Sequence, residues 1–448
     1  MLFTTDKQTQ ENLNIFGKQG MDSVLSLFNR TATNNGAKIL EEMFQNPLSN
    51  AEAINKRIGV ISYLSTVKAV FPFSAEMFDQ AEQYLSNTDE RTKLSAEKPT
   101  LEKKLSNLVA ASADQKQIVN GINAIIEIIH ELSGLLKNIL LLTGSPLNND
   151  PETINIGKLL ITEPISLLLQ EKPKNKRSKE ILSAYDVMLR FSYRETIWQI
   201  LRYIYHMDVY ITIARVAAER GFIFPKALAK EENSIRIEGF YHPQLKNAVA
   251  NTLTTGADSN VIFLTGANMA GKSTFMKSFG IAMYLAHMGF PVAAKQMEFS
   301  VLDGIFTTIN LPDNLGIGAS HFYAEVLRLK KIAKELSTGK KIFVIFDELF
   351  RGTNVKDAYE ATIAVTTAFA RKLGSVFVIS THIIEAGEIL KERCANISFQ
   401  YLPTRMKGTI PEYTYTLETG ITDDRHGMII INNEGILELL KKGKEIIK

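Results

Sequence analysis

Cysteine is almost absent from this 448-residue chain. Cys394 is its one thiol, so no internal disulfide can form, and the composition suits a reducing compartment such as the cytoplasm. A dominant charge is lacking too: 51 Lys and Arg stand against 48 Asp and Glu, a net +3. No global basic field therefore advertises nucleic acid, and any such site must come from local placement of charge. Long hydrophobic runs are also missing. The most apolar stretch, residues 122–142, is broken by Glu127, His130, Glu131 and Lys137. Within it Ile122, Ile125, Ile126, Ile129, Leu132, Leu136 and Ile139 recur at three- and four-residue steps, which predicts an amphipathic helix rather than a membrane span of about 20 apolar residues. The opening MLFTTDKQTQ lacks the basic, apolar and small-residue succession of a targeting segment. Seven scattered histidines make no metal-ligand cluster of recognised spacing. No Ser/His/Asp or Cys/His arrangement stands out either, which argues against covalent-nucleophile hydrolysis. A soluble protein without a membrane segment is expected.

What is present is an ordinary globular composition, 45% hydrophobic and 22% charged, with length for roughly two to four domains. The texture changes partway along. From about residue 10 to 230 helical spacing dominates, and residues 191–221 read as one long helix closed by Gly221, with Pro225 shortly beyond. From Ser234 onward short β-branched runs (SIRIEG, NVIFLTG, KKIFVIFDE, SVFVIST, YTYTLE) alternate with helical patterns, which predicts a largely parallel sheet covered by helices. The boundary is expected within Ala227 to Glu232. The basic run KPKNKRSKE, residues 172–180, reads as a solvated loop or, alternatively, as a phosphate-contacting tip.

Three motifs carry chemistry. Gly266-Ala267-Asn268-Met269-Ala270-Gly271-Lys272-Ser273 is a complete G-x-x-x-x-G-K-[ST] loop that follows an apolar run and opens a helical pattern starting with Ser273 and Thr274. Such a loop curls backbone N–H groups around phosphates at a helix N-terminus. Lys272 would reach the β- and γ-phosphates of ATP, and the Ser273 hydroxyl would bind Mg²⁺. Ile342 to Phe346 ends in Asp347 and Glu348, the way a buried strand delivers acids to a sheet edge. Asp347 is read as the metal-side acid and Glu348 as the residue that orients or deprotonates water. Downstream, Ser375 to Ser380 ends in Thr381-His382, which could place an imidazole near the γ-phosphate or simply cap the strand.

In this order and spacing GANMAGKST, DELFRGTN and STH resemble the ATPase domain of the MutS family of DNA mismatch-repair proteins. DNLGIGASHFYAEV, residues 313–326, is similar to the family's segment with Ser320, Phe322 and Glu325 in place. Leu27 to Gly36, Pro47-Leu48 and Ile54 to Leu64 resemble its core and lever region, and Asp424 to Gly427 its short C-terminal element. The resemblance implies a multidomain fold. An all-α core/lever domain at 10–230 would precede an α/β P-loop NTPase domain at 232–448, ABC-ATPase-like with a mostly parallel sheet. It also implies ATP and Mg²⁺ as cofactors, DNA as partner, and a homodimer in which Ser320 completes the partner's nucleotide site.

The departures shape the expectation. The family's mismatch reader carries a Phe-x-Glu wedge, whereas the only such triplet here is Phe346-Asp347-Glu348 on the acid-bearing strand. Lever-like sequence starts near residue 10, so the reader and connector are expected to be lacking and the clamp reduced or absent. Ala267 and Ala270 replace Pro and Gly in the loop, and Phe350 replaces the Gly of DELGRGT. Ala248 stands where the family stacks an aromatic on adenine, so a looser base grip is expected. The function expected is ATP-driven conformational change coupled to DNA, in mismatch repair or recognition of branched DNA. The alternatives are a nucleotide-switched scaffold or a ribosome- or RNA-directed ATPase.

Overall fold

The computed structural model describes residues 3–17, 22–94, 110–141, 144–173, 177–309, 321–407, 410–422 and 435–442. Contacts divide the chain into two compact units. One comprises Met1–Leu27, Asn46–Ile58 and Glu219–Lys448, the other Phe28–Gln45 and Gly59–Ala218.

The second unit is helical, built on helices Asn34–Gln45, Ala75–Ser86, Ala110–Leu140, Pro151–Ile161 and Lys179–Val187 with the second half of Ala51–Thr66 and most of Arg194–Arg220. All seven apolar positions picked out between Ile122 and Ile139 are buried, so the three-four periodicity does become the core face of a helix. By length and composition Gln115–Leu140 could cross a membrane, but 56% of its most apolar window lies buried within the protein. The long C-terminal helix begins at Arg194 rather than Phe191, because Met188–Ser192 forms a π-helical turn, and Gly221 follows its end with φ +65°.

Two buried carboxylates organise this unit. Asp186 pairs with Arg190 (Nη2 to Oδ2 2.6 Å, Nε to Oδ1 2.9 Å), and both side chains are fully buried. Tyr84 Oη and the Leu94 amide also donate to Asp186, while Arg190 reaches Thr92 Oγ1 at 2.7 Å and the Thr92 carbonyl at 3.1 Å. Burial, with Asp186 beside it, drives the Tyr84 phenol far above its ordinary value. Asp208 in turn accepts from the Ala32 and Thr33 amides and from Thr33 Oγ1, just ahead of Asn34–Gln45. In the basic run after residue 172, Arg177 is internal: it bonds Glu171, Asn123 and the Lys172 carbonyl. That residue is structural, and residues 174–176 lie outside the described ones.

The first unit carries strands β1 (Lys226–Leu228), β2 (Ile235–Phe240), β3 (Asn251–Thr255), β4 (Val261–Gly266), β5 (Gln296–Ser300), β6 (Gly304–Thr308), β7 (Ile342–Phe346), β8 (Val376–Ser380), β9 (Ile397–Leu402), β10 (Thr404–Lys407), β11 (Ile410–Tyr413) and β12 (Glu418–Thr419). Its helices include α1 (Lys7–Asn12), α2 (Lys272–His287), α3 (His321–Ser337), α4 (Val355–Ala370), α5 (Glu385–Arg393) and the short α6 (Ile436–Lys442). The main sheet runs β12-β9-β4-β8-β7-β6, parallel except at β12. Every residue of β4, β7 and β8 is buried, as unbroken apolar runs in a covered parallel sheet require. A smaller sheet runs β1-β5-β2-β3.

Contacts pass from one unit to the other at Ala218 and Glu219, ahead of the boundary expected at Ala227 to Glu232. Lys226–Leu228 is not a linker but strand β1, paired with β5, and Asn55 clasps Ala227 through both its amide and its carbonyl. The N-terminal residues 1–27 and the segment Asn46–Ile58 belong here too, although residues 10–27 and 46–58 fall in the helical half expected from sequence. Arg57 reaches the Met288 carbonyl at 2.7 Å. Thr4 bridges Gly304, Thr9 Oγ1 accepts from the Thr307 amide, and Asn12 Oδ1 accepts from the Ile309 amide, all along β6. Asp6 binds Arg328 and Lys331 of α3, and Arg328 continues to the Thr307 carbonyl. Burial alone would raise the Asp6 carboxyl, but the two cations outweigh it and hold the group far below its ordinary value. Such contacts join segments remote in sequence, and local periodicity carries no signal for them.

Candidate active site

Because β4, β8 and β7 are parallel neighbours, their C-terminal ends bring three loops side by side. The loop after β4 is Gly266 to Gly271. Gly266 and Gly271 have φ of +142° and +97°, conformations in which a Cβ would also press on the Leu402 carbonyl and on the Tyr415 ring. The two pattern glycines are thus demanded by backbone and packing together. Met269, at φ +68°, forms the loop's exposed tip. Lys272 opens α2 and is buried, its Nζ donating to the Gly266 and Ala267 carbonyls at 2.7 and 3.1 Å. Burial lowers its pKa, while Asp347 and Glu348 pull the other way. First-turn amides of a helix lack intrahelical acceptors, so this end of α2 offers donors and a positive dipole to an anion.

Ser273 Oγ donates to Asp347 Oδ2 at 2.5 Å. The second oxygen of Asp347 accepts from Ser380 Oγ at 2.8 Å. Ser380 closes β8, and the amides of Glu348 and Leu349 bond its Oγ and carbonyl oxygen at 3.3 and 3.1 Å. One serine therefore fixes the turn that carries both acids. Glu348 lies in the left-handed region at φ +54°, and its Oε1 meets His382 Nε2 at 2.7 Å while its Oε2 pairs with Arg351 at 2.8 Å. Burial pushes Glu348 up, but the His382 hydrogen bond and the nearby charges of His382, Arg351 and Lys272 outweigh it, so the carboxyl sits below its ordinary value.

Lys272, Ser273, Asp347, Glu348 and His382, which the sequence singled out in three separate motifs, thus meet in one cluster. Ser320 and Asp424 to Gly427 lie outside the described residues. Sequence reasoning did not find Ser380, Arg351 or Tyr415. Ser380 was readable only as a strand end, since its role depends on β8 standing between β4 and β7.

Tyr415 revises one expectation. YTYTLE was expected to form a strand, yet β11 stops at Tyr413 and β12 begins at Glu418. Between them Asn251 captures the chain, donating to the Tyr415 carbonyl at 3.1 Å and accepting from the Leu417 amide at 2.7 Å. Tyr415 adopts φ +55° and lays its ring against Gly271. There it lines a cavity of about 310 Å³ beside the loop, with Ala248, Val249, Phe240, His242 and Thr274. An aromatic face is therefore present where Ala248 alone suggested none.

The donors fit a hard cation. A hydroxyl and a carboxylate in contact suit Mg²⁺, which keeps several waters and takes one or two carboxylates together with phosphate oxygens. Among the described residues no group of three or more His, Cys, Asp or Glu side chains is arranged to hold a metal alone.

Family profiles match over most of the chain: MutS domain III over residues 8–343 and MutS domain V over 262–447. Among curated relatives, the DNA mismatch repair protein MutS of Caldicellulosiruptor bescii is 24% identical over 551 residues, covering 99% of this chain and 62% of the relative. That span exceeds the 448 residues here, so the relative holds additional residues inside the matched region. The proteins of the same name from Fusobacterium nucleatum and Persephonella marina are 26% and 29% identical, over 57% and 54% of this chain. The chain spans 62%, 29% and 28% of the three relatives' lengths.

Proposed function

The chain belongs to the MutS family, and from that premise we propose that it is a Mg²⁺-dependent ATPase whose nucleotide cycle governs binding to DNA. The observation that carries the chemistry is the contact between Ser273 Oγ and Asp347 Oδ2, a serine of the phosphate loop and an acid two strands away in the sheet. In this reading the amides at the start of α2 and Lys272 take the phosphates, Lys272 exchanging its two loop carbonyls for phosphate oxygens. Ser273 and Asp347 would hold Mg²⁺, which when bound neutralises developing phosphate charge. Glu348 orients and accepts a proton from water, and its depressed pKa keeps it ionised for that task. His382 holds Glu348 Oε1, and Arg351 must release Oε2 for a water to be taken there. Tyr415 supplies a stacking face for the base, with Ala248 leaving room on the cavity wall.

DNA as partner, a homodimer through the ATPase domains and a cytoplasmic setting rest on kinship. The core/lever assignment of the helical half and the completion of a partner's site by Ser320 rest on it as well.

The test is ATP turnover with and without perfect duplex, single-mismatch duplex, single strand, four-way junction and RNA. Lys272→Ala serves as the control that should lose nucleotide affinity. Stimulation by one DNA structure is expected. Stimulation by RNA alone would turn the reading to an RNA-directed ATPase. Turnover indifferent to all of them would leave a nucleotide-driven scaffold for protein partners.

A further inference from the structure

The turn that carries Glu348 holds a residue that its own backbone disfavours. Phe350 sits at φ +64°, in the left-handed region where a bulky side chain is strained. It is the second such residue in three, after Glu348 at φ +54°. The chain tolerates this because the Phe350 ring is buried, 3% exposed, in the core formed with Leu349, Phe346, Ala358 and Ile363. Within that core its ring centroid lies 5.9 Å from that of Phe322, in the first turn of α3. The turn is therefore gripped twice. Ser380 holds its backbone from β8, and the Phe350 ring holds it from the side of α3.

A glycine at this position would adopt φ +64° without strain, but would visit other conformations as readily. Phenylalanine does the opposite: it resists the conformation and is forced into it by packing. The geometry then becomes conditional on the ring's socket. If the first turn of α3 shifts, the packing that enforces the left-handed turn weakens and the backbone strain drives Glu348 off its present line to His382.

We propose that Phe350 is a positioning residue for Glu348, and that its ring contact with Phe322 makes the orientation of Glu348 depend on the place of α3. Phe350 lines neither the phosphate loop nor the cavity beside it, so the dependence acts on turnover and not on nucleotide affinity. The proposal rests on the reading of Glu348 as the water-orienting base.

The experiment compares wild type with Phe350→Gly, Phe350→Leu, Phe322→Ala and the Phe350→Gly/Phe322→Ala double variant. For each, kcat and KM for ATP are measured alongside a direct nucleotide Kd, on protein shown to be folded by its thermal transition. The expected result is a kcat loss of about tenfold or more in Phe350→Gly, with KM and Kd within twofold. Phe350→Leu keeps an apolar side chain in the socket and should recover most of kcat. Phe322→Ala should lose kcat to a similar degree, and the double variant should lose no more than the worse single one. Three results would overturn the proposal: unchanged kcat in folded Phe350→Gly, kcat and Kd worsening together, or multiplicative losses in the double variant. Glu348→Gln is run beside them. Wild-type turnover in that variant would mean that the assignment of the base has failed, whatever the Phe350 series shows.

Discussion

Asp186 in the helical unit and Glu348 in the α/β unit are each ion-paired with an arginine, at 2.6 and 2.8 Å. Asp186 and Arg190 are fully buried, and every partner they meet belongs to the fold. Arg351, which pairs with Glu348, keeps 74% of its side chain exposed, and His382 keeps 42%. The first cluster is closed: each lone pair and proton is matched by a group that cannot leave without unfolding. The second is satisfied by partners that can swing into water at small cost. The contrast separates a charge locked into the architecture from one whose partners can exchange, as the role proposed for Glu348 requires, and burial or pairing alone would not show it, since both clusters contain short ion pairs.

Breaking the comparison at the exchangeable end should have the largest effect. Glu348→Gln should slow ATP hydrolysis by about 10²–10⁴-fold, the usual range for removing a general base, and leave the urea midpoint unmoved. Phosphate release under single-turnover conditions reads this, and a rate within a few-fold of wild type would move the catalytic role elsewhere. At the sealed end Arg190→Met strands a buried carboxylate. It should cost about 3–5 kcal/mol in denaturant unfolding, much of which the Asp186→Leu/Arg190→Met double variant should recover. Equal losses in single and double variants would show that Asp186 was not left in need of its partner.

Two further effects sharpen the contrast. Tyr415→Ala should weaken nucleotide binding by roughly 1–3 kcal/mol, the worth of one aromatic stack on a base, with saturated turnover little changed. Isothermal titration would show it, and unchanged affinity would place the base away from the Tyr415 ring. The other concerns His287, a buried group that must stay neutral. Its Nε2 accepts from the Leu302 amide at 3.0 Å and its Nδ1 donates to the Met283 carbonyl at 2.7 Å, with the Phe3 and Phe299 rings beside it. Burial lowers its pKa from 6.5 to about 4. Because the folded value is the lower one, the unfolded chain takes up the proton first. Stability should therefore decline as pH falls from 6.5 toward 4 and level off below that. Unfolding midpoints measured across this window should lose that slope in His287→Gln.

The phosphate loop, both acids and the buried strands were legible because each is a local pattern: glycines at fixed offsets, or an apolar run ending in carboxylates. The Ile122–Ile139 helix was legible for the same reason, as a periodicity. Ser380 was not, because its importance comes from the order of strands in the sheet, which no segment encodes by itself. Tyr415 was misread as part of a strand because YTYTLE has strand propensity, which the Asn251 side chain overrides by claiming its backbone. The interleaving of the two units along the chain was not legible for a related reason. Helical spacing near the N-terminus describes local conformation and says nothing about which unit a segment packs into.

The N-terminal segment along β6 has one more consequence. β6 ends the main sheet, and an edge strand normally presents a row of open amides on which another chain can pair. Here the Ile305 amide is taken by the Thr4 carbonyl, that of Thr307 by Thr9 Oγ1 and that of Ile309 by Asn12 Oδ1. Only the first of these is a strand-like bond. The other two come from side chains of a helix, which cannot itself be extended by a further strand. The sheet is thus finished by a segment that seals it against growth. A version of this protein trimmed back past Asn12 would expose a sticky margin, and would fail first by aggregation rather than by loss of catalysis.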